Sequence, residues 1–152
     1  MAVVIIIGVI GVAVLLLTAT GGLLGNLSAT DIAGYASNAG FTGSDLVMAV
    51  AIALAESSGN TNAVGDQTLA PTNGPSIGLW QINVGSRAHP DLADQNLTDP
   101  QVNANAAYAI YKAAGSSFAP WSTYGNGMAS NNFAAASAGV TAMQNASNGV
   151  EA

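Results

Sequence analysis

The chain has 152 residues, of which 50% are hydrophobic and only 7% charged, where an average soluble domain carries roughly a quarter charged residues. Eight acidic side chains face two basic ones, Arg87 and Lys112, for a formal charge of −6, which excludes a nucleic-acid partner held by clustered Lys and Arg. With no cysteine and a single histidine, His89, there is no disulfide framework and no multi-histidine metal centre, and neither a metal nor a cofactor is expected.

The first charged residue is Asp31, and the run from Ala2 to Leu24 is almost wholly apolar. As a helix it extends about 35 Å, against a bilayer hydrocarbon thickness of about 30 Å. A cleaved secretory signal carries a basic n-region before a shorter apolar run, and Met1-Ala2 has no charge. Residues 1–25 are therefore read as a retained transmembrane anchor in a lipid membrane through residues 2–24, followed by a linker over 26–30. Neither flank carries Lys or Arg, so no basic-residue bias favours one orientation.

At the end of the linker, Ala29-Thr30-Asp31 opens a short helix through Ala36 that is stopped near Gly40. Thr42-Gly43-Ser44-Asp45 reads as a capping box before the apolar run Leu46 to Ala55. That helix is apolar all round and is expected at the centre of the core. Residues 60–83 are rich in Asn, Gly, Pro and Thr and read as loop with a short hairpin. Asp99 and Pro100 fit the N-cap and first position of a helix running to Ala114, with Lys112 in its last turn. After Gly127 an Ala/Ser/Asn-rich tail, 128–152, is expected to hold one helix over 130–144 and then fray.

Glu56 is one of two glutamates and ends the ten-residue apolar run. Desolvation and the negative end of the helix dipole both raise a carboxyl pKa there. A carboxylic acid kept protonated near neutral pH can protonate a leaving oxygen; the bland alternative is a solvent-facing residue in a fraying last turn. The large aromatics Trp80, Trp121, Tyr108 and Tyr111 are expected to pack in the core, and His89 to be a loop residue.

Four segments in order, Glu56-Ser57-Ser58-Gly59-Asn60, Gly78-Leu79-Trp80-Gln81-Ile82-Asn83, Ala107-Tyr108 and Trp121-Ser122-Thr123-Tyr124, resemble the motifs of the lytic transglycosylase domain of the lysozyme-like superfamily. The resemblance covers residues 31–127 and is strongest to small domains of phage tail and virion proteins. It implies a mainly α, lysozyme-like small helical domain over 31–127, acting on peptidoglycan glycan strands. It also implies Glu56 as the catalytic acid and base, Ser57 helping to place its carboxyl, and Gln81 touching the sugar. Gly78 would let backbone approach the cleft, Tyr124 would bring its hydroxyl near the acid, and Asn126 falls near the motif's asparagine although Gly125 intervenes.

Ser76 stands where hen-type lysozymes carry a second acid, whereas retaining and inverting hydrolysis each need a carboxylate pair. The nearest alternative, Asp66, reads first as a turn residue after Gly65. The resemblance therefore implies that one acid suffices, by closing a 1,6-anhydro ring on the muramyl sugar without water. The resulting expectation is a membrane-anchored transglycosylase, in a virion or at the bacterial inner membrane facing the wall, with virion or envelope proteins as possible partners. Alternatives are a muramidase of the same fold and a non-catalytic, pilus-like or virion structural protein that binds glycan.

Overall fold

A computed structural model describes residues 26–69 and 72–149. The anchor expected at 1–25 lies outside the described residues, and among these no helix is long and apolar enough to cross a membrane.

Helix α1, Ala29–Ala39, begins with a true capping box: the Ser28 hydroxyl accepts from Asp31 N–H at 3.2 Å, and Asp31 Oδ2 accepts from Ser28 N–H at 3.0 Å. Helix α2, Gly43–Ser57, carries the apolar run. Its residues Ala49 to Ala53 are all fully buried, covering the whole circumference. Each Val or Ile sealed from water in this way contributes about 1.5–3 kcal/mol. The capping box expected at its start does not form. Thr42 occupies the N-cap position without a side-chain hydrogen bond, and Asp45 Oδ2 accepts from the Tyr111 hydroxyl at 2.6 Å. Ser58 ends the helix in the left-handed region at φ 53°.

The loop after α2 folds into more than a hairpin. Strands β1 (Val64–Gly65), β2 (Ser76–Ile77) and β3 (Ile82–Asn83) form a small antiparallel sheet in that order. Its register pairs Gly65 with Ser76 and Ser76 with Asn83, so these three residues form one row across the strands. Helix α3, Pro100–Ala113, starts as expected, with Asp99 Oδ1 accepting from the N–H groups of Gln101 and Val102 at 2.9 Å.

A one-turn helix α4, Ser122–Gly125, and a 3-10 turn over Met128–Asn132 lead into helix α5, Phe133–Asn148. The tail thus stays helical four residues beyond the expected end. Ala136, Gly139 and Val140 make a buried stripe at helical spacing, and α5 packs along α1 and α2. Gly139 permits the approach: a Cβ there would lie 2.6 Å from Ala29.

Both tryptophans are core residues. Trp80 Nε1 donates to the Ala49 carbonyl of α2 at 2.9 Å, and Trp121 Nε1 donates to the Trp80 carbonyl at 2.9 Å. Asn103, on the buried stripe of α3, is likewise sealed from solvent. Its Nδ2 donates to the carbonyls of Ile77 and Leu97, and its Oδ1 accepts from Trp80 N–H, all at 2.9 Å. One amide therefore ties the sheet, the turn after it and the loop before α3 to a single helix.

Candidate active site

Glu56 lies in the last turn of α2, half-buried, where the helix meets a cleft of about 450 Å³ between the small sheet and α4. Its Oε1 accepts a hydrogen bond from the Thr123 hydroxyl at 2.7 Å. Burial pushes the carboxyl above the ordinary carboxylate range, the Thr123 bond pulls it back, and the negative charge of Asp66 adds to the rise. The net direction is upward, favouring the protonated form that can act as an acid.

The opposite wall is the row across the sheet. Asp66, just past β1, accepts from the Ser76 hydroxyl at 2.8 Å, and Ser76 Oγ accepts from Asn83 Nδ2 at 3.2 Å. Asp66, Ser76, Gln81, Asn83 and His89 all line the cleft with Glu56, and Ile110 and Trp121 supply apolar surface. Asp66 and Gln81 hold left-handed backbone, φ 54° and 46°, a region that aspartate enters readily and that costs glutamine about 1–2 kcal/mol.

The residues singled out from the sequence divide into two groups. Glu56 and Gln81 share the cleft, and Gln81 Nε2 is braced by the carbonyls of Ala63 and Gly78 at 3.1 and 2.9 Å. Ser57, Gly78, Tyr124 and Asn126 do not line it. The Ser57 hydroxyl donates to the Ala53 carbonyl at 3.0 Å and accepts from Gly59 N–H at 3.2 Å, closing the end of α2. Gly78, at φ 79°, backs onto the core rather than the cleft: a Cβ would lie 2.3 Å from the Leu97 carbonyl and 2.4 Å from Asn103 Nδ2. Tyr124 is 43% exposed and packs on Phe118, with ring centroids 5.8 Å apart. Asn126 Oδ1 accepts from Met128 N–H at 3.0 Å.

Three contributors escaped the sequence reading or were undervalued by it. Thr123, not its neighbour Tyr124, holds the acid. Asp66 is a cleft residue as well as a turn residue. Asn103, an amide at an apolar-stripe position, was detectable in principle as the polar residue out of pattern in α3. Among the described residues no three His, Cys, Asp or Glu side chains converge as a metal site.

No curated protein and no solved structure matches the chain. A family model described as a lysozyme like domain matches residues 33–123, from the first helix to the threonine that holds Glu56. That span takes in both walls of the cleft and more than half of the sequence, and the helical body around a small sheet agrees with it: the chain belongs to the lysozyme-like domain family.

Proposed function

We propose that this protein is a peptidoglycan lytic transglycosylase, with Glu56 as its catalytic acid and base. The observation that carries the reading is the Glu56 carboxyl, raised by burial, gripped through one oxygen and facing a polar cleft, opposite a hydroxyl at Ser76. Glu56 donates its proton to the glycosidic oxygen between N-acetylmuramic acid and N-acetylglucosamine as the bond to the muramyl C1 breaks. The muramyl 6-hydroxyl then attacks C1 and returns its proton to Glu56, closing the 1,6-anhydro ring. Gln81, its Nε2 engaged by the carbonyls of Ala63 and Gly78, has its Oε1 left as an acceptor for the sugar.

We also propose a membrane tether through residues 2–24, on a phage particle or in an envelope machine. With a formal charge of −6, long-range attraction does not gather this protein at an anionic wall, so a tether would supply the local concentration. Fractionation with membranes or virions, against release into the soluble fraction, tests this part.

One observation favours a second reading. Asp66 places another carboxylate in the cleft, and a carboxylate that positions water would make the enzyme a muramidase. Digesting purified peptidoglycan with the wild-type chain and with Glu56→Gln, followed by mass spectrometry of the muropeptides, decides. Anhydromuropeptides from wild type alone support the transglycosylase, and reducing-end products identify the hydrolase. Equal turnover by Glu56→Gln removes Glu56 from the mechanism, and binding without turnover leaves the glycan-binding structural role.

A further inference from the structure

The acid must serve twice, first giving up a proton and then taking one back, and its two oxygens are not equivalent in this structure. Oε1 accepts from Thr123 at 2.7 Å, and Thr123 is itself buried, 7% exposed. The segment carrying it is pinned on its N-terminal side, where Trp121 Nε1 donates to the Trp80 carbonyl at 2.9 Å and Tyr124 N–H donates to the Trp121 carbonyl at 3.1 Å. A hydroxyl fixed in this way cannot follow a rotating carboxyl, so it sets the rotation of the carboxyl instead.

We propose that Thr123 is a positioning residue that engages Oε1 throughout the reaction and leaves Oε2 as the oxygen that exchanges the proton with the substrate. In the acid form, Oε1 is the carbonyl oxygen and Oε2 carries the hydrogen. After transfer to the glycosidic oxygen, the same Thr123 donor faces the carboxylate without reorienting, and Oε2 receives the proton of the attacking hydroxyl. A donor that needs no rearrangement between the two steps is preorganised for the charge that develops. The role rests on the function proposed for Glu56 above.

The hydroxyl also has a measurable electrostatic consequence. Its hydrogen bond favours the charged form and opposes the rise that burial and Asp66 produce. The other titratable groups around the site are Asp66 and His89 in the cleft, with Tyr124 beside Thr123 on α4; substitution of Thr123 leaves all three in place.

The chain contains only two glutamates, Glu56 and Glu151, so the full-length protein labelled with 13C at the glutamate carboxyl shows two side-chain signals. The pH titration of each is followed in wild type, Thr123→Val and Thr123→Ser. Loss of the hydroxyl moves the Glu56 midpoint to higher pH, Thr123→Ser keeps it at the wild-type position, and Glu151 serves as the internal control. On peptidoglycan, kcat falls about 10- to 100-fold in Thr123→Val, the scale of a displaced reacting group, and recovers in Thr123→Ser. Should Thr123→Val not fold, Thr123→Ala is read in the same way.

A Glu56 midpoint that stays put when the hydroxyl is removed overturns the proposal. So does a Thr123→Ser protein that behaves like Thr123→Val. The titration needs no turnover, so a chain that released no anhydro product would refute the transglycosylase reading while the Thr123 contact was still decided by the spectra.

Discussion

Removing the Asn103 side chain tests whether one buried amide holds the sheet wall of the cleft to the helical body. Asn103→Ala strands three backbone groups, the N–H of Trp80 and the carbonyls of Ile77 and Leu97. Each buried polar group left without a partner costs about 1–3 kcal/mol, but a carbonyl can recover part of this by local movement. The expected loss is about 3–5 kcal/mol, a large share of a total stability of about 5–15 kcal/mol. Urea denaturation followed by circular dichroism measures it, and the melting temperature should fall by about 10–20 °C. Asn103→Asp sharpens the test, because a carboxylate keeps the acceptor for Trp80 and loses both donors. Its buried acid would be held above the unfolded value, so the variant would regain stability as pH falls and lose it as pH rises. A loss below about 1 kcal/mol in Asn103→Ala, smaller than one unmet hydrogen bond, would refute the reasoning.

Glu56 itself should be a stability liability. Burial holds its folded carboxyl above the unfolded value, so its ionisation opposes folding, a penalty absent below the unfolded value and complete above the folded one. Glu56→Gln should therefore melt no lower than wild type at about pH 8, with any advantage gone by about pH 4; a scanning calorimetry series across that range checks the sign. Two glycines give an opposed pair. Gly34→Ala in α1 meets open space and should stabilise by about 0.5–1 kcal/mol through helix propensity. Gly139→Ala drives a methyl against Ala29 and should destabilise by about 1–2 kcal/mol despite the same propensity gain. Parallel thermal melts decide, and equal signs would contradict the α1–α5 packing.

The sequence made α2 and its terminal acid legible because a ten-residue apolar run ending in Glu56 has one physical resolution: a buried helix with an acid at its rim. Asp99 with Pro100 was equally readable, since a cap acts within its own turn. Thr42 through Asp45 carried an equally good local signal, but Tyr111, far along the chain, takes the carboxylate. Asp66 was hidden for a different reason. Two-residue strands have no periodicity to detect, and only the register of Gly65 with Ser76 brings its carboxylate to the Ser76 hydroxyl. Thr123 depends on how a single helical turn docks against the end of α2, so the motif drew attention to the more conspicuous tyrosine beside it.

The Ala49, Trp80, Trp121, Thr123 and Glu56 contacts form a closed circuit. It leaves α2 at Ala49, passes through both indoles and the short helix, and returns to α2 at Glu56, two turns further on. The acid is thus clamped between its own helix and a strut anchored on that same helix, like the jaw of a vice rather than a graft on a scaffold. Moving the glutamate motif alone onto another helix would transfer the jaw without the frame. Because both tryptophans of the chain lie in the frame, their fluorescence is a built-in strain gauge: a substitution that loosens the circuit should register in emission even where the overall fold survives.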